Sequence, residues 1–127
     1  ACTDITGFGL IGHLMEITRS SNVSAKISYK NILKFDHVEE FAAKNIIPGG
    51  TMKNFNWHSK HVDYSKKMDE SQKFILSDAQ TSGGLLISVP SLESKALVRS
   101  LNKYNTTKAS VIGEITDKSN YEIIVNE

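Results

Sequence analysis

Cysteine is almost absent from this chain, since Cys2 is the only one among 127 residues. A single cysteine cannot form an internal disulfide, which fits a cytoplasmic protein. Net charge is also nearly absent: 15 Lys and Arg against 14 Asp and Glu leave +1. This balance argues against a basic surface that holds nucleic acid. No apolar run approaches the roughly 18 residues of a membrane-spanning helix, and no basic-then-apolar leader is visible.

The composition is that of an ordinary globular domain. Apolar residues make up 39% and charged residues 23%, and this length accommodates one domain with a core. The chain does not begin with Met but opens directly into its richest motif. We therefore expect a fragment of a longer protein, cut just before Ala1.

The periodicity of apolar residues predicts an α+β domain, with helices packed on a mixed sheet. Helices are predicted at about 8–20, 38–42, 69–77 and from 91 onward, and strands at 23–29, 85–89, 109–115 and 121–125. The strand at 85–89 is expected to be buried. Residues 48–68 lack regular periodicity and are predicted to be an irregular, mobile loop. Lys118-Ser119-Asn120 is expected to be a hairpin turn between the last two strands.

Seven of the eight glycines fall in three groups, each beside hydroxyl or carboxylate side chains. The groups lie within 7–12, 49–50 and 83–84. Gly7-x-Gly9-x-x-Gly12 formally matches a dinucleotide fingerprint, but it follows no full strand, and no acidic residue closes the next one. A glycine loop that opens a helix remains, and it serves either phosphate contact or close packing.

Asp4 lies just before these glycines, between Thr3 and Thr6. A carboxylate beside a phosphate loop suits Mg²⁺, which prefers oxygen ligands and bridges to substrate phosphates. A helix-capping aspartate is the commoner explanation from spacing alone. The run from Asp78 to Gly84 either lines a site or is a tight turn whose side chains satisfy its own backbone, and the turn is favoured.

The remaining reactive side chains have structural interpretations. His58 and His61 have a spacing that can bind metal, but no third ligand is evident, so a surface pair in a loop is favoured. His13 is expected to be packed or solvated rather than catalytic. Cys2 has no activating partner apart from His13 and is expected to be a small buried residue.

Three motifs together resemble the C-terminal half of the selenophosphate synthetase (selenide, water dikinase) family. They are Ala1-Cys2-Thr3-Asp4-Ile5-Thr6-Gly7-Phe8-Gly9-Leu10-Ile11-Gly12-His13-Leu14, Pro48-Gly49-Gly50-Thr51 with Asn54, and Asp78-Ala79-Gln80-Thr81-Ser82-Gly83-Gly84-Leu85-Leu86. The resemblance covers essentially the whole chain, with one departure: the family usually has Pro where Ala79 stands.

The resemblance implies an enzyme that converts ATP, selenide and water into selenophosphate, AMP and phosphate with Mg²⁺. It implies that residues 1–127 are one C-terminal domain of a two-domain protein that dimerises mainly through its N-terminal domain. The catalytic Cys or selenocysteine, its Lys and most ATP-binding residues would lie in that other domain, so no catalytic residue is expected here. Asp4 would be a metal ligand, and Thr6 and Gly7 are candidates for phosphate binding. The alternatives are another enzyme of the aminoimidazole ribonucleotide synthetase superfamily, or a module that binds a partner and catalyses nothing.

Overall fold

The computed structural model describes residues 1–104 and 108–127. Its strands form two separate sheets, a mixed sheet of four strands and an antiparallel ribbon of two. The strands are β1 (Cys2–Asp4), β2 (Ser24–Ser28), β3 (Val62–Tyr64), β4 (Leu85–Ile87), β5 (Gly113–Thr116) and β6 (Ile123–Asn126). The larger sheet has the order β3-β6-β2-β5, and β1 pairs with β4 in the ribbon.

Five helices accompany these strands in the described ranges. They are α1 (Gly9–Ser20), α2 (Val38–Ala43), α3 (Gly49–His58), α4 (Glu70–Leu76) and α5 (Ser91–Lys103). The start of α4 has a capping box, in which the Asp69 carboxylate accepts from the Gln72 backbone N–H and the Gln72 side chain accepts from that of Asp69. The predicted α+β class, with helices on a mixed sheet, is confirmed. None of these helices is long and apolar enough to cross a membrane.

The core lies between α1 and the four-stranded sheet. Ile11 and Met15, one helical turn apart on α1, are fully buried, as are Ile123 and Val125 on β6. The spacing of four on the helix and two on the strand places each pair on one face of its element. The helix predicted at about 8–20 therefore forms, and its apolar side faces the sheet.

The prediction of an irregular segment at 48–68 is wrong. This segment contains α3, a 3₁₀ turn at Ser59–His61, and β3. Pro48 precedes the first helical residue, where its fixed φ suits a helix start. The buried residues of α3 are polar, Thr51 and His58, so the helix lacks the apolar stripe by which sequence periodicity detects one.

The predicted hairpin around Lys118-Ser119-Asn120 is also wrong. Strands β5 and β6 do not pair with each other, because β2 lies between them, antiparallel to β5 and parallel to β6. The Ser119 backbone N–H instead donates to the Ser24 Oγ at 2.9 Å. The connection thus crosses the end of β2 rather than turning back on itself.

Strand β4 and helix α5 form as predicted, but their burial does not follow the prediction. The sequence indicated a buried strand at 85–89, whereas β4 covers 85–87 and Leu85 is 66% exposed. On α5, Leu92 is 96% exposed, and no residue of the helix is fully buried. A continuous apolar run identified the strand correctly, but it could not specify what lies against it.

Candidate functional site

The three glycine groups, more than 40 residues apart in places along the chain, meet at one location. We call them the first loop (5–9, before α1), the second loop (48–54, the start of α3) and the third loop (78–84, between α4 and β4). Each contacts the other two through the hydrogen bonds described below. The arrangement gives the second and third loops a role that sequence reasoning had not assigned.

The first and third loops are joined by backbone hydrogen bonds. The Ile5 N–H donates to the Gly84 carbonyl at 2.8 Å, and the Gly83 N–H donates to the Ile5 carbonyl at 3.0 Å. The Gln80 N–H donates to the Thr6 carbonyl at 3.0 Å. These bonds continue the β1–β4 pairing into the loops, and they hold the first loop against the third.

The second loop holds the other two through side chains. The Asn54 amide donates to the Gly7 carbonyl at 2.8 Å and to the Ser77 carbonyl at 3.0 Å. The Thr51 hydroxyl, 1% exposed as a residue, donates to the Asp78 carboxylate at 2.5 Å. The Thr51 hydroxyl and the Asn54 amide, which donates two hydrogen bonds, hold the three loops together, because each group would cost free energy if left unpaired.

The Asp78 carboxylate serves the loop junction. Its second oxygen accepts from the Gln80 side chain at 2.9 Å. Its other partner is Thr51, on a different element, so the predicted self-contained turn is only part of its role. Both carboxylate oxygens are engaged within the protein, and Asp78 is therefore a clamp between loops.

The two glycines of the first loop differ in the space around them. Gly9 has φ +71°, and a Cβ built there would come within 2.8 Å of the Ser77 and Asp78 backbone. A Cβ built at Gly7 would have no atom within 4 Å. The close-packing interpretation therefore applies to Gly9, whereas Gly7 faces open space.

Asp4 lies at the end of β1, and its residue is exposed. Helix α1 begins at Gly9 with Phe8 as its N-cap residue and no side-chain cap, so the helix-capping interpretation of Asp4 is wrong. In the described part of the chain its carboxylate makes no hydrogen bond or ion pair. The carboxylate is therefore available to a group outside this chain.

Thr6 is the first member of a chain of three polar side chains. Its Oγ1 is 3.1 Å from the Nε2 of His13, and the His13 Nδ1 is 3.1 Å from the Glu16 carboxylate. The His13 side chain is only 9% exposed, while that of Glu16 is 58% exposed. His13 is packed, one of the two alternatives expected for it, but its hydrogen bond to a candidate site residue was not foreseen.

Exposed aromatic residues lie beside the first loop. The Phe8 and Trp57 rings have centroids 6.2 Å apart, and the Arg19 guanidinium lies 5.4 Å from the centre of the Trp57 ring. Phe8 and Trp57 are about half exposed. This patch connects the first loop to α3.

The predicted surface pair of histidines is wrong for His58, which is fully buried at the end of α3. Neither of its ring nitrogens has a hydrogen-bond partner among the described residues. Burial, with a smaller effect from nearby His61, lowers the pKa of His58 to about 4. His61 instead lies 3.8 Å from the Glu122 carboxylate.

Cys2 is exposed rather than buried, because it lies on the thin β1–β4 ribbon. Across residues 1–104 and 108–127, no group of three or more His, Cys, Asp or Glu side chains is arranged to hold a metal ion.

The family described as AIR synthase related protein, C-terminal domain, matches residues 1–126. The chain belongs to this family.

Relatives of this AIR synthase-related domain include proteins named "Selenide, water dikinase". That of Aliarcobacter butzleri is 37% identical over 126 residues, that of Haemophilus influenzae (strain KW20) 41% over 125, and that of Clostridioides difficile 39% over 123. These alignments cover 97–99% of this chain but only 35–36% of each relative. The chain thus spans about a third of the length of the relatives it matches, and the family resemblance inferred from its motifs is confirmed.

Proposed function

We propose that this chain is the C-terminal domain of a selenide, water dikinase, which makes selenophosphate, AMP and phosphate from ATP, selenide and water. The names and identities of the relatives support this proposal, as does their greater length. In this proposal the reactive Cys or selenocysteine and most ATP contacts belong to an N-terminal domain. The whole protein is a cytoplasmic homodimer, and residues 1–127 alone have no activity.

Asp4 is the proposed metal ligand of this domain, and Mg²⁺ is the proposed metal. The fit rests on one exposed carboxylate without a protein partner in the described ranges, at the edge of a loop that contains an open glycine. Mg²⁺ is commonly held by one or two carboxylates together with substrate phosphates and water. When bound, such an ion would neutralise negative charge that develops on the phosphates.

Thr6 and Gly7 are the proposed phosphate contacts. They precede α1, whose N-terminal dipole favours an anion. Gly7 has room around its Cα for close approach, and the Asn54 amide holds its carbonyl in place. The observation that carries the proposal is the joining of the three motif loops around this position, with the Asp4 carboxylate left available.

The test is Asp4→Asn in the longer protein that contains this chain, with AMP formation measured across a Mg²⁺ titration. Asn keeps the size and one oxygen but loses the charge and the second carboxylate oxygen. We expect a severe loss of selenide-dependent AMP formation, partly recovered at high Mg²⁺, with an unchanged melting temperature.

Two controls sharpen this experiment. Asp36→Asn changes a carboxylate of the same type outside the three loops and should leave the rate unchanged. The isolated chain should give no AMP above background with ATP, Mg²⁺ and selenide. A normal rate for Asp4→Asn at ordinary Mg²⁺ would return Asp4 to a structural role, and robust turnover by the isolated chain would overturn the division between domains.

A further inference from the structure

The hydrogen-bond chain Thr6–His13–Glu16 ends at the proposed phosphate site. Both of its links measure 3.1 Å. Its middle member is more than nine-tenths buried, whereas its last member reaches solvent. A buried, titratable ring thus connects a candidate ligand-binding hydroxyl to bulk water.

The direction of each hydrogen bond follows from what the groups can donate. An ionised Glu16 only accepts, so the Nδ1 of His13 carries a proton and donates. In a neutral imidazole the Nε2 is then an acceptor, and the Thr6 hydroxyl must donate to it. In that state Thr6 presents only oxygen lone pairs to the site, which repel phosphoryl oxygens.

Adding a proton to His13 reverses the first link. Both ring nitrogens of the imidazolium donate, so Nε2–H donates to the Thr6 oxygen. The Thr6 hydroxyl proton is then free to point outward and donate to an oxyanion. The balance is one proton taken from water onto Nε2, with no bond of the ligand formed or broken.

We infer that His13 is a positioning residue that takes up a proton when a phosphoryl group binds at Thr6 and Gly7, and so converts the Thr6 hydroxyl into a donor to that group. This inference rests on the proposed function and specifies how its phosphate site is regulated. The ligand is a tetrahedral phosphoryl oxyanion, either free phosphate or the terminal group of a nucleotide.

Glu16 is the charged group that contacts His13 in the described ranges, at 3.1 Å. Several charged groups on the neighbouring elements have other partners: Glu122 pairs with Arg19 and His61, Asp78 with Thr51 and Gln80, and Lys73 lies over Tyr64. A bound phosphoryl group would add negative charge on the other side of the ring.

The test measures protons taken up on binding, by calorimetry of the longer protein in two buffers of different ionisation enthalpy. Phosphate and ADP are titrated separately, which distinguishes a free from a nucleotide-borne phosphoryl group. We expect the wild type to take up close to one proton more than His13→Gln, whose amide can bond Thr6 but does not titrate. The affinity of the wild type for the phosphoryl ligand should also fall as pH rises. Relative to His13→Gln, the fall should reach about tenfold per pH unit over the range in which this uptake operates.

Two variants separate the relay from simpler explanations. Thr6→Val keeps the shape of the side chain but removes the hydroxyl, so the extra proton uptake should disappear. If Thr6→Val still takes up the proton, the phosphoryl charge acts on His13 through space and the relay is overturned. His37→Gln is the control, because His37 also lies 3.2 Å from a glutamate three residues later, Glu40, but is exposed. This variant should take up as many protons as the wild type.

The outcomes separate this inference from the proposed function. Equal proton uptake by wild type and His13→Gln, or no binding of phosphate and ADP at all, overturns the inference even in a protein that makes AMP with selenide. A clear difference in uptake supports it even if selenide does not stimulate AMP formation, which would count against the proposed function alone.

Discussion

The four-stranded sheet with α1 and the β1–β4 ribbon with α5 contain similar apolar residues but differ in burial. On the sheet side, Met15 and Ile123 are fully buried. On the ribbon side, Leu85 and Leu92 are mostly exposed. Both regions have regular secondary structure, so propensity and periodicity alone do not explain the difference.

An apolar pattern therefore specifies an element but not the neighbour against which the element packs. Strands β2 and β6 lie far apart in sequence, and their pairing creates the surface on which the core of the sheet side forms. The ribbon side has the loops of the candidate site at one end and few packed side chains elsewhere. Denaturation experiments on variants of this chain test the difference in packing.

The largest expected effect is the loss of a buried side chain on α1. Met15→Ala should lower the free energy of unfolding by about 2–5 kcal/mol, because it removes fully buried methylene and thioether groups and leaves a cavity. Urea denaturation of the chain would measure it. Met52→Ala is the matched control, since Met52 on α3 is 38% exposed and its loss should cost much less; equal losses would contradict the assigned core.

The next effect is pH dependence from His58. Burial lowers its pKa from 6.5 to about 4 in the folded state, so the unfolded chain binds more protons between these values. Stability should therefore fall as pH drops from about 6.5 to 4, by roughly 3 kcal/mol at 1.36 kcal/mol per pKa unit. The measurement is urea denaturation across this range.

A variant comparison isolates the contribution of His58. His58→Gln removes the titrating ring and should flatten this part of the stability profile, whatever its effect at neutral pH. His37→Gln, at an exposed site, should leave the profile unchanged. An equally steep profile for His58→Gln would assign the pH dependence to other groups.

The smallest expected effect is on α5. Leu92→Ala should change the free energy of unfolding of this chain by less than about 0.5 kcal/mol, because Leu92 is 96% exposed. Hydrogen exchange offers a second readout, in which β6 amides should exchange more slowly than those of β4. A large destabilisation, or equal protection of the two strands, would mean that the ribbon side is packed in solution.

Sequence reasoning predicted the elements whose apolar residues repeat regularly. Helix α1, with Leu14 and Met15 on its buried side, and strand β2, with Ala25 and Ile27, were both found in this way. Helix α3 was missed because Thr51 and His58 occupy its buried positions, and because two glycines begin it. The false hairpin at Lys118–Asn120 arose because strand pairing is non-local, and a polar turn sequence does not reveal an intervening strand.

The candidate site was predicted in part. The clustering of glycines indicated the three loops, but not that Asn54 and Thr51 of α3 join them, since a short polar side chain does not reveal in the sequence which partner it will bond. The hydrogen bond between His13 and Thr6 was not predicted, because it joins residues seven apart across the start of α1. Capping preference alone misassigned Asp4, because α1 begins five residues later, at Gly9.

The position of β6 in its sheet bears on how this domain is synthesised. This strand, Ile123–Asn126, follows all the others along the chain, yet it lies between β2 and β3 and pairs with both. While a ribosome is still making the chain, β2 and β3 lack their shared neighbour and have open edges. The sheet can therefore close only after residue 126 has left the exit tunnel, so β2 and β3 complete their pairing only once β6 has emerged.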